Sequence, residues 1–375
     1  GVAPIDNNIR KVFYERVKIF QHTFAKTEYC DPIFDDNIHE AFEITRAMNF
    51  AAEYSNYVKK HRDRLSPNII TNTELCKKYD AVTLVMNYAK IPYSKLWNEE
   101  VLAGALFEYD WLHLHHEDFT GQYGKFYRSH RNSQWYKNQK KQFELVASTL
   151  GYKSVHEQKK STAKKIKKFV GNGGFLFAMC SATDSYDIAL AMGNVDGVEA
   201  VYDGTPTNPD LQNSLDYTQC FAFENFKIIP DPMIYEFSDI DFPPSHNPIT
   251  RGAKADYFTL FEFSAKYDPV PSMLTQNHVP IIKGFMGQTT GFHKDKIKKH
   301  IVIMGEDPAS EQVKYLHGNF GKGTFTFYGG HDPEDYQHFV GDPPTDLTLH
   351  RNSPGYRLIL NNILFPAARK KERKT

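Results

Sequence analysis

The sequence predicts an α/β fold: a doubly wound, mostly parallel sheet preceded by a helical extension. Three observations predict it. From about residue 68, short apolar runs alternate with longer helical patterns, as in a parallel sheet with helices on both faces. The run Gly173-Gly174-Phe175-Leu176-Phe177-Ala178-Met179-Cys180-Ser181-Ala182 reads as a buried strand that stops at a cysteine and turns into a helix. Two further strand-like runs end, as this one does, in loops that carry reactive side chains.

Taken in order, residues 8 to 64 repeat apolar side chains at helical spacing, with Ile9, Val12, Phe13, Val17 and Phe20 in one helix and Ala41, Ile44, Met48, Ala51 and Tyr54 in another. Pro32 and the acidic residues around it separate the two, and Ser66-Pro67 marks a boundary. Residues 1–66 therefore form a helical extension, 67–368 the α/β domain and 369–375 a basic tail. Within the domain, Asn68–Thr71 is a weak first strand and Leu75–Ala89 a helix. Trp111–Leu114 is a strand, Gln134–Leu150 and Ser161–Val170 are helices, and Phe175–Met179 is the strand that meets the helix Asp184–Ala191. Asp256–Phe263, Pro280–Gly284 and Ile301–Met304 read as strands, Ser310–His317 as a helix and Thr324–Tyr328 as the last strand. Pro354–Leu364 closes the chain as a helix that starts with proline in its first turn. Between 193 and 248 the turn residues crowd together, which marks an insertion at the edge of the sheet.

The 375 residues carry 45 Lys+Arg against 45 Asp+Glu. That balance argues against a nucleic-acid binder, whose footprint is a positive excess. The basic run Lys159–Lys168 reads as a solvated helix face. Four widely spaced cysteines exclude a thiolate zinc site and a disulfide scaffold. No apolar run reaches the roughly 18 residues that a membrane span needs. The chain begins at Gly1, so the expectation is an exported, periplasmic protein that has lost a signal peptide, with a cytoplasmic chain as the alternative. The partner expected is a small molecule, with carbohydrate as one class, and no cofactor and no bound metal are assigned. Oligomeric state is left open.

The candidate site collects at the carboxyl edge of the sheet, where open α/β sheets bind ligands. Cys180 would be a nucleophile at a strand-to-helix corner, with the amino end of the helix favouring its thiolate. His331, which follows Gly329-Gly330, would be acid and base, and Glu334 would orient it. His115, His116, Glu117, Asp118 and Tyr123 would contact substrate. His113 and His115 alternate onto one face of their strand. Neighbouring histidines in an extended segment point apart, so only one of His115 and His116 is expected to face a given ion.

The segments Tyr109-Asp110-Trp111-Leu112-His113-Leu114, Gly173-Gly174-Phe175-Leu176, His246-Asn247-Pro248-Ile249-Thr250 and Gly321-Lys322-Gly323-Thr324-Phe325-Thr326-Phe327-Tyr328-Gly329-Gly330-His331 carry a resemblance. In this order they resemble the trehalose-utilisation family of the class I glutamine amidotransferase-like superfamily, over roughly residues 68–366. The resemblance implies a flavodoxin-like sheet. The family superclass has a glycine-rich oxyanion loop where this chain has His115–Asp118, and a His-Pro-Glu motif where this chain has His331-Asp332-Pro333-Glu334. The chain is also similar to sequences labelled asparagine synthetase B. It lacks the Ser-Gly-Gly-x-Asp-Ser loop and the amino-terminal cysteine which that activity requires. Three functions remain open: a small-molecule hydrolase using Cys180 and His331, a non-catalytic carbohydrate binder using Phe119, Tyr123 and Tyr127, and a metal-dependent hydrolase using His115, Glu117 and His331.

Overall fold

The computed structural model describes residues 68–70, 80–242, 257–260, 279–286, 289, 291–307, 309–310, 312–333 and 345–364. The helical extension, the basic tail, residues 243–248 of the expected insertion and Glu334 lie outside the described residues. At the centre, β4 (Phe175–Met179) runs parallel to both its neighbours, β3 (Trp111–Leu114) and β10 (Gly323–Tyr328). Beyond β3 come β1 (Asn68–Ile70) and β2 (Ser94–Lys95), again parallel. All five side chains of β4 are buried, which is why the strand reads as an unbroken apolar run without alternation.

On the other side of β10 the sheet changes character. β9 (Gln312–Phe320), β8 (Val302–Asp307), β5 (Tyr257–Leu260), β6 (Ile281–Met286) and β11 (Asp332–Pro333) follow in that order, each antiparallel to the one before. β7 (Phe292–His293) pairs with β9 off this path. The expectation of a doubly wound, mostly parallel sheet of the flavodoxin-like, class I amidotransferase-like kind is therefore corrected: the sheet is mixed. The reason lies in connection length. Parallel neighbours need a crossover of about a dozen residues or more, whereas residues 308–311 join β8 to β9 and only Gly321 and Lys322 join β9 to β10. The helix expected at Ser310–His317 is instead most of β9. Residues 312–318 are buried on both faces of the sheet, so no two-residue alternation shows in the sequence.

Helices cover both faces. One layer is α1 (Ala81–Tyr88) with α6 (Pro354–Leu364), which pack Val82, Val85, Met86, Leu358, Ile359 and Ile363 against Trp111, Phe177 and Tyr328. The side chain of Asp80 caps α1 by accepting the Thr83 N–H at 2.8 Å. On the opposite face, α4 (Val155–Gly171) and α5 (Ser181–Met192) bury Ile166, Val170, Ile188 and Leu190 against Leu112, Leu114, Leu176 and Phe327. α2 (Asn98–Ala103) packs on α4, and α3 (Gln134–Thr149) lies along its outer side. The turn-rich segment after α5 sends Phe221, Phe223, Phe226, Phe237 and Ile240 into this same core. Its fastening is Asp187 on α5, whose carboxylate accepts the N–H groups of Phe221 (2.7 Å), Ala222 (2.7 Å) and Phe223 (3.0 Å). The basic run on α4 is not wholly a solvated face. Lys159 and Lys160 are buried, and the Lys160 ammonium donates to the Val195 carbonyl at 2.7 Å.

Burial has a consequence for acid stability at His317 on β9. Its ring, hydrogen-bonded to the Thr326 hydroxyl, is pushed down to about 3 by desolvation. Because the folded value lies below the unfolded value of about 6.5, the unfolded chain takes up the proton first. The stability His317 contributes is thus present above pH 6.5 and lost as pH falls toward 3. A His317→Gln variant has no such proton to bind. Between pH 6.5 and 4 its unfolding free energy, relative to the parent, is expected to improve by roughly 1.4 kcal/mol per pH unit. Parallel urea titrations at four pH values check this, and a constant difference across them refutes it.

Candidate functional site

Parallel pairing of β3, β4 and β10 brings the three loaded loops to one edge. Cys180 stands at the end of β4 as the residue before α5, with φ 54° and ψ −138°. This left-handed, strained backbone is uncommon for a residue with a side chain, and it marks a sharp corner between strand and helix, where the free thiol is buried. Its N–H donates to the Tyr328 carbonyl on β10 at 2.9 Å, which ties the corner to the strand that leads to His331. Burial alone would push the thiol up. The hydrogen bond and charge of His331, the charge of His116 and the backbone N–H of Thr289 outweigh it together, so the Cys180 thiol sits below its ordinary range. The expected juxtaposition of Cys180 and His331 is present in the structure.

His331 is half-buried and does not stand alone. Its ring centroid lies 4.7 Å from that of His115 and 5.2 Å from that of His116, and the latter two are 4.6 Å apart. One ring nitrogen from each of the three lies within 4.8 Å of the others. The expectation that only one of His115 and His116 could face a given ion is therefore corrected. β3 ends at Leu114, and the chain bends at residues 115 and 116, so the strict alternation of a strand no longer applies. His116 takes the place in this cluster that the sequence reading gave to Glu117.

The remaining loop residues are held by α5. The Ser181 hydroxyl donates to the His116 carbonyl and the Ser185 hydroxyl to the Glu117 carbonyl, both at 3.0 Å. Asp118 staples the loop: its carboxylate accepts the Thr120 N–H (2.7 Å), the Thr120 hydroxyl (2.6 Å) and the Gly124 N–H (2.9 Å). Glu117 is buried, which pushes its carboxyl up, and the buried Lys159 ammonium beside it is pushed down by the same desolvation. Lys159 also lies over the rings of Phe119 and Phe143 at 5.9 and 5.4 Å. Tyr123 is buried in an aromatic cluster, stacked on Phe143 with centroids 6.1 Å apart. Phe119 is buried too, so neither ring presents a face to a sugar.

Two acids escaped the sequence reading. Asp184, in the first turn of α5, is buried and accepts the Thr289 hydroxyl at 3.1 Å, and burial pushes its carboxyl up to about 7. Asp80 lies among His113 and His115 on the α1 face of the sheet. The signal for Asp184 was its position four residues after Cys180. Asp80 carries no local signal, because only the pairing of elements distant in sequence brings it to β3.

No protein-family profile and no curated protein sequence matches the chain. Among solved structures, it is similar to the cytoplasmic protein STM3548 from Salmonella typhimurium at 11% identity and a TM-score of 0.38, covering 82% of this chain and 100% of that one. The cytoplasmic protein STM1381 from Salmonella typhimurium LT2 is 11% identical with a TM-score of 0.34, over 77% of this chain and 86% of that one. A GH42 β-galactosidase, Gan42B, is 12% identical with a TM-score of 0.29, over 77% of this chain and 31% of that one. Likenesses this loose define neither fold nor activity. No helix among the described residues is long and apolar enough to cross a membrane.

Proposed function

We propose that the protein is a thiol-dependent hydrolase of small molecules, with Cys180 as nucleophile and His331 as acid and base. The observation that carries this reading is the backbone of Cys180, strained at φ 54° at the head of α5 with His331 hydrogen-bonded to its sulfur. The thiolate attacks a carboxylic ester or amide carbonyl and forms a bond from Sγ to carbon. The leaving group departs with the proton that His331 holds, giving a thioester. His331 then takes a proton from water, whose oxygen attacks the thioester, releasing the acid and the thiol. The Ser181 N–H, in the first turn of α5 where no intrahelical acceptor exists, would stabilise the developing oxyanion. Kinship with the trehalose-utilisation family belongs to the same proposal and rests on the motifs alone.

Iodoacetamide alkylation of the native chain against pH tests the thiol. The rate is expected to titrate below the free-thiol value of about 8.5, and His331→Ala to move it upward. Hydrolysis of a small p-nitrophenyl ester is expected to fall by about a thousandfold or more in Cys180→Ser. Labelling only after unfolding, or parent-like turnover in Cys180→Ser, refutes the reading.

A second reading has its own observation. The three ring nitrogens of His115, His116 and His331 form a donor set for a divalent ion, which would activate water without the thiol. Under that reading Cys180→Ser keeps its activity while a chelator removes it.

A further inference from the structure

Beneath the thiol, on the face covered by α1 and α6, β3 presents a column of rings. Trp111, His113 and His115 follow one another on that face, with His113 stacked 6.0 Å from Trp111 and meeting His115 edge-on at 5.8 Å. Asp80, the cap of α1, reaches the same place, and one donor atom from each of Asp80, His113 and His115 lies within 4.8 Å of the others. All three residues are buried, at 3%, 0% and 3% exposure. The Nδ1–H of His113 donates to the Phe177 carbonyl at 3.0 Å, which leaves Nε2 as the nitrogen with a lone pair. That Nε2 and the Nδ1 of His115 are buried with no hydrogen-bond partner. A backbone carbonyl behind the protonated nitrogen of a histidine is the arrangement that orients a metal-bound imidazole. Asp80 is oriented in the same manner, since its carboxylate accepts the N–H (2.8 Å) and the hydroxyl (2.6 Å) of Thr83.

We propose that Asp80, His113 and His115 bind a divalent transition ion of the zinc, cobalt, iron or manganese class. Two buried imidazole nitrogens that lack a hydrogen-bond partner, with a carboxylate oxygen within 4.8 Å, make a donor set that a cation satisfies. Neutral imidazole and carboxylate are the ligand forms such ions take, and three protein ligands leave a further position open. The ion lies below Cys180 and His331 and fixes the ring of His115, against which His331 packs. This site is independent of the thiol chemistry proposed above, and either can fail alone.

The full chain, stripped with a chelator and desalted, is titrated with cobalt(II) chloride. Visible absorbance and elemental analysis after a second desalting step report binding. About one equivalent is expected to remain bound. His113→Ala and Asp80→Asn should each weaken binding by at least about tenfold, whereas His116→Ala and Cys180→Ala bind as the parent does. Asparagine caps a helix as well as aspartate, so Asp80→Asn keeps α1 in place and decides the matter should His113→Ala fail to fold. Three results overturn the proposal: no retained cobalt, parent-like binding in Asp80→Asn, or loss of binding in His116→Ala, which would put the ion in the upper trio of histidines.

Discussion

Gly323→Ala is expected to cost about 3 kcal/mol or more and to leave little folded protein at ambient temperature. A Cβ on Gly323 would stand 2.1 Å from the Val170 carbonyl oxygen and 2.2 Å from that of Gly174. Both obstacles are backbone, at the end of α4 and the start of β4, so neither can swing aside. Gly321 is as tightly set, with φ 58° and its absent Cβ 2.7 Å from the Gly171 carbonyl oxygen. The Gly-Lys-Gly turn is thus a packing device that seats the β9–β10 hairpin on the end of α4. It aligns β10 with β4, and through that pairing it sets His331 beside Cys180. Lys322, exposed between the glycines, is the control: Lys322→Ala should change stability by less than about 0.5 kcal/mol. Urea denaturation of both variants checks the contrast, and a parent-like midpoint for Gly323→Ala would sink it.

Asp187→Ala is expected to destabilise the fold by about 3 kcal/mol or more, because it leaves three backbone N–H groups without their acceptor. Each buried, unsatisfied donor costs about 1–3 kcal/mol. The groups belong to Phe221, Ala222 and Phe223, and the side chains of all three are buried in the core with those of α5 and β10. Desolvation pushes the Asp187 carboxyl up to about 6, yet at neutral pH it remains the ionised acceptor these three donors require. Asp187→Asn keeps one carbonyl oxygen in place and should lose less. If the two variants unfold at the same urea concentration as the parent, the carboxylate does not hold this segment.

Much of the local structure is legible in the sequence. Trp111–Leu114 and Phe175–Met179 are strands over the residues read as strands, and Pro354–Leu364 is a helix over its whole expected length. In each case the apolar run or helical period is bounded by a turn signal. β9 was not legible, because a strand buried on both faces loses the two-residue period, and residues 310–317 then pass for a helix. The difference decides the architecture, since a helix there would permit a parallel crossover where the chain has a tight hairpin.

The site divides in the same way. Cys180 announced itself, because an apolar strand that ends in a cysteine followed directly by a helix forces a corner, and the Gly-Gly-His run marked the neighbouring strand's end. Which histidines meet was decided by the tertiary structure, where the bend after Leu114 turns His115 and His116 to the same side. Asp80 joins His113 and His115 only because α1 packs against β3 from a different part of the chain. Periodicity and turn chemistry act over a few residues and are written in the sequence. The company a side chain keeps depends on sheet order and on crossover length, which no short stretch of chain contains.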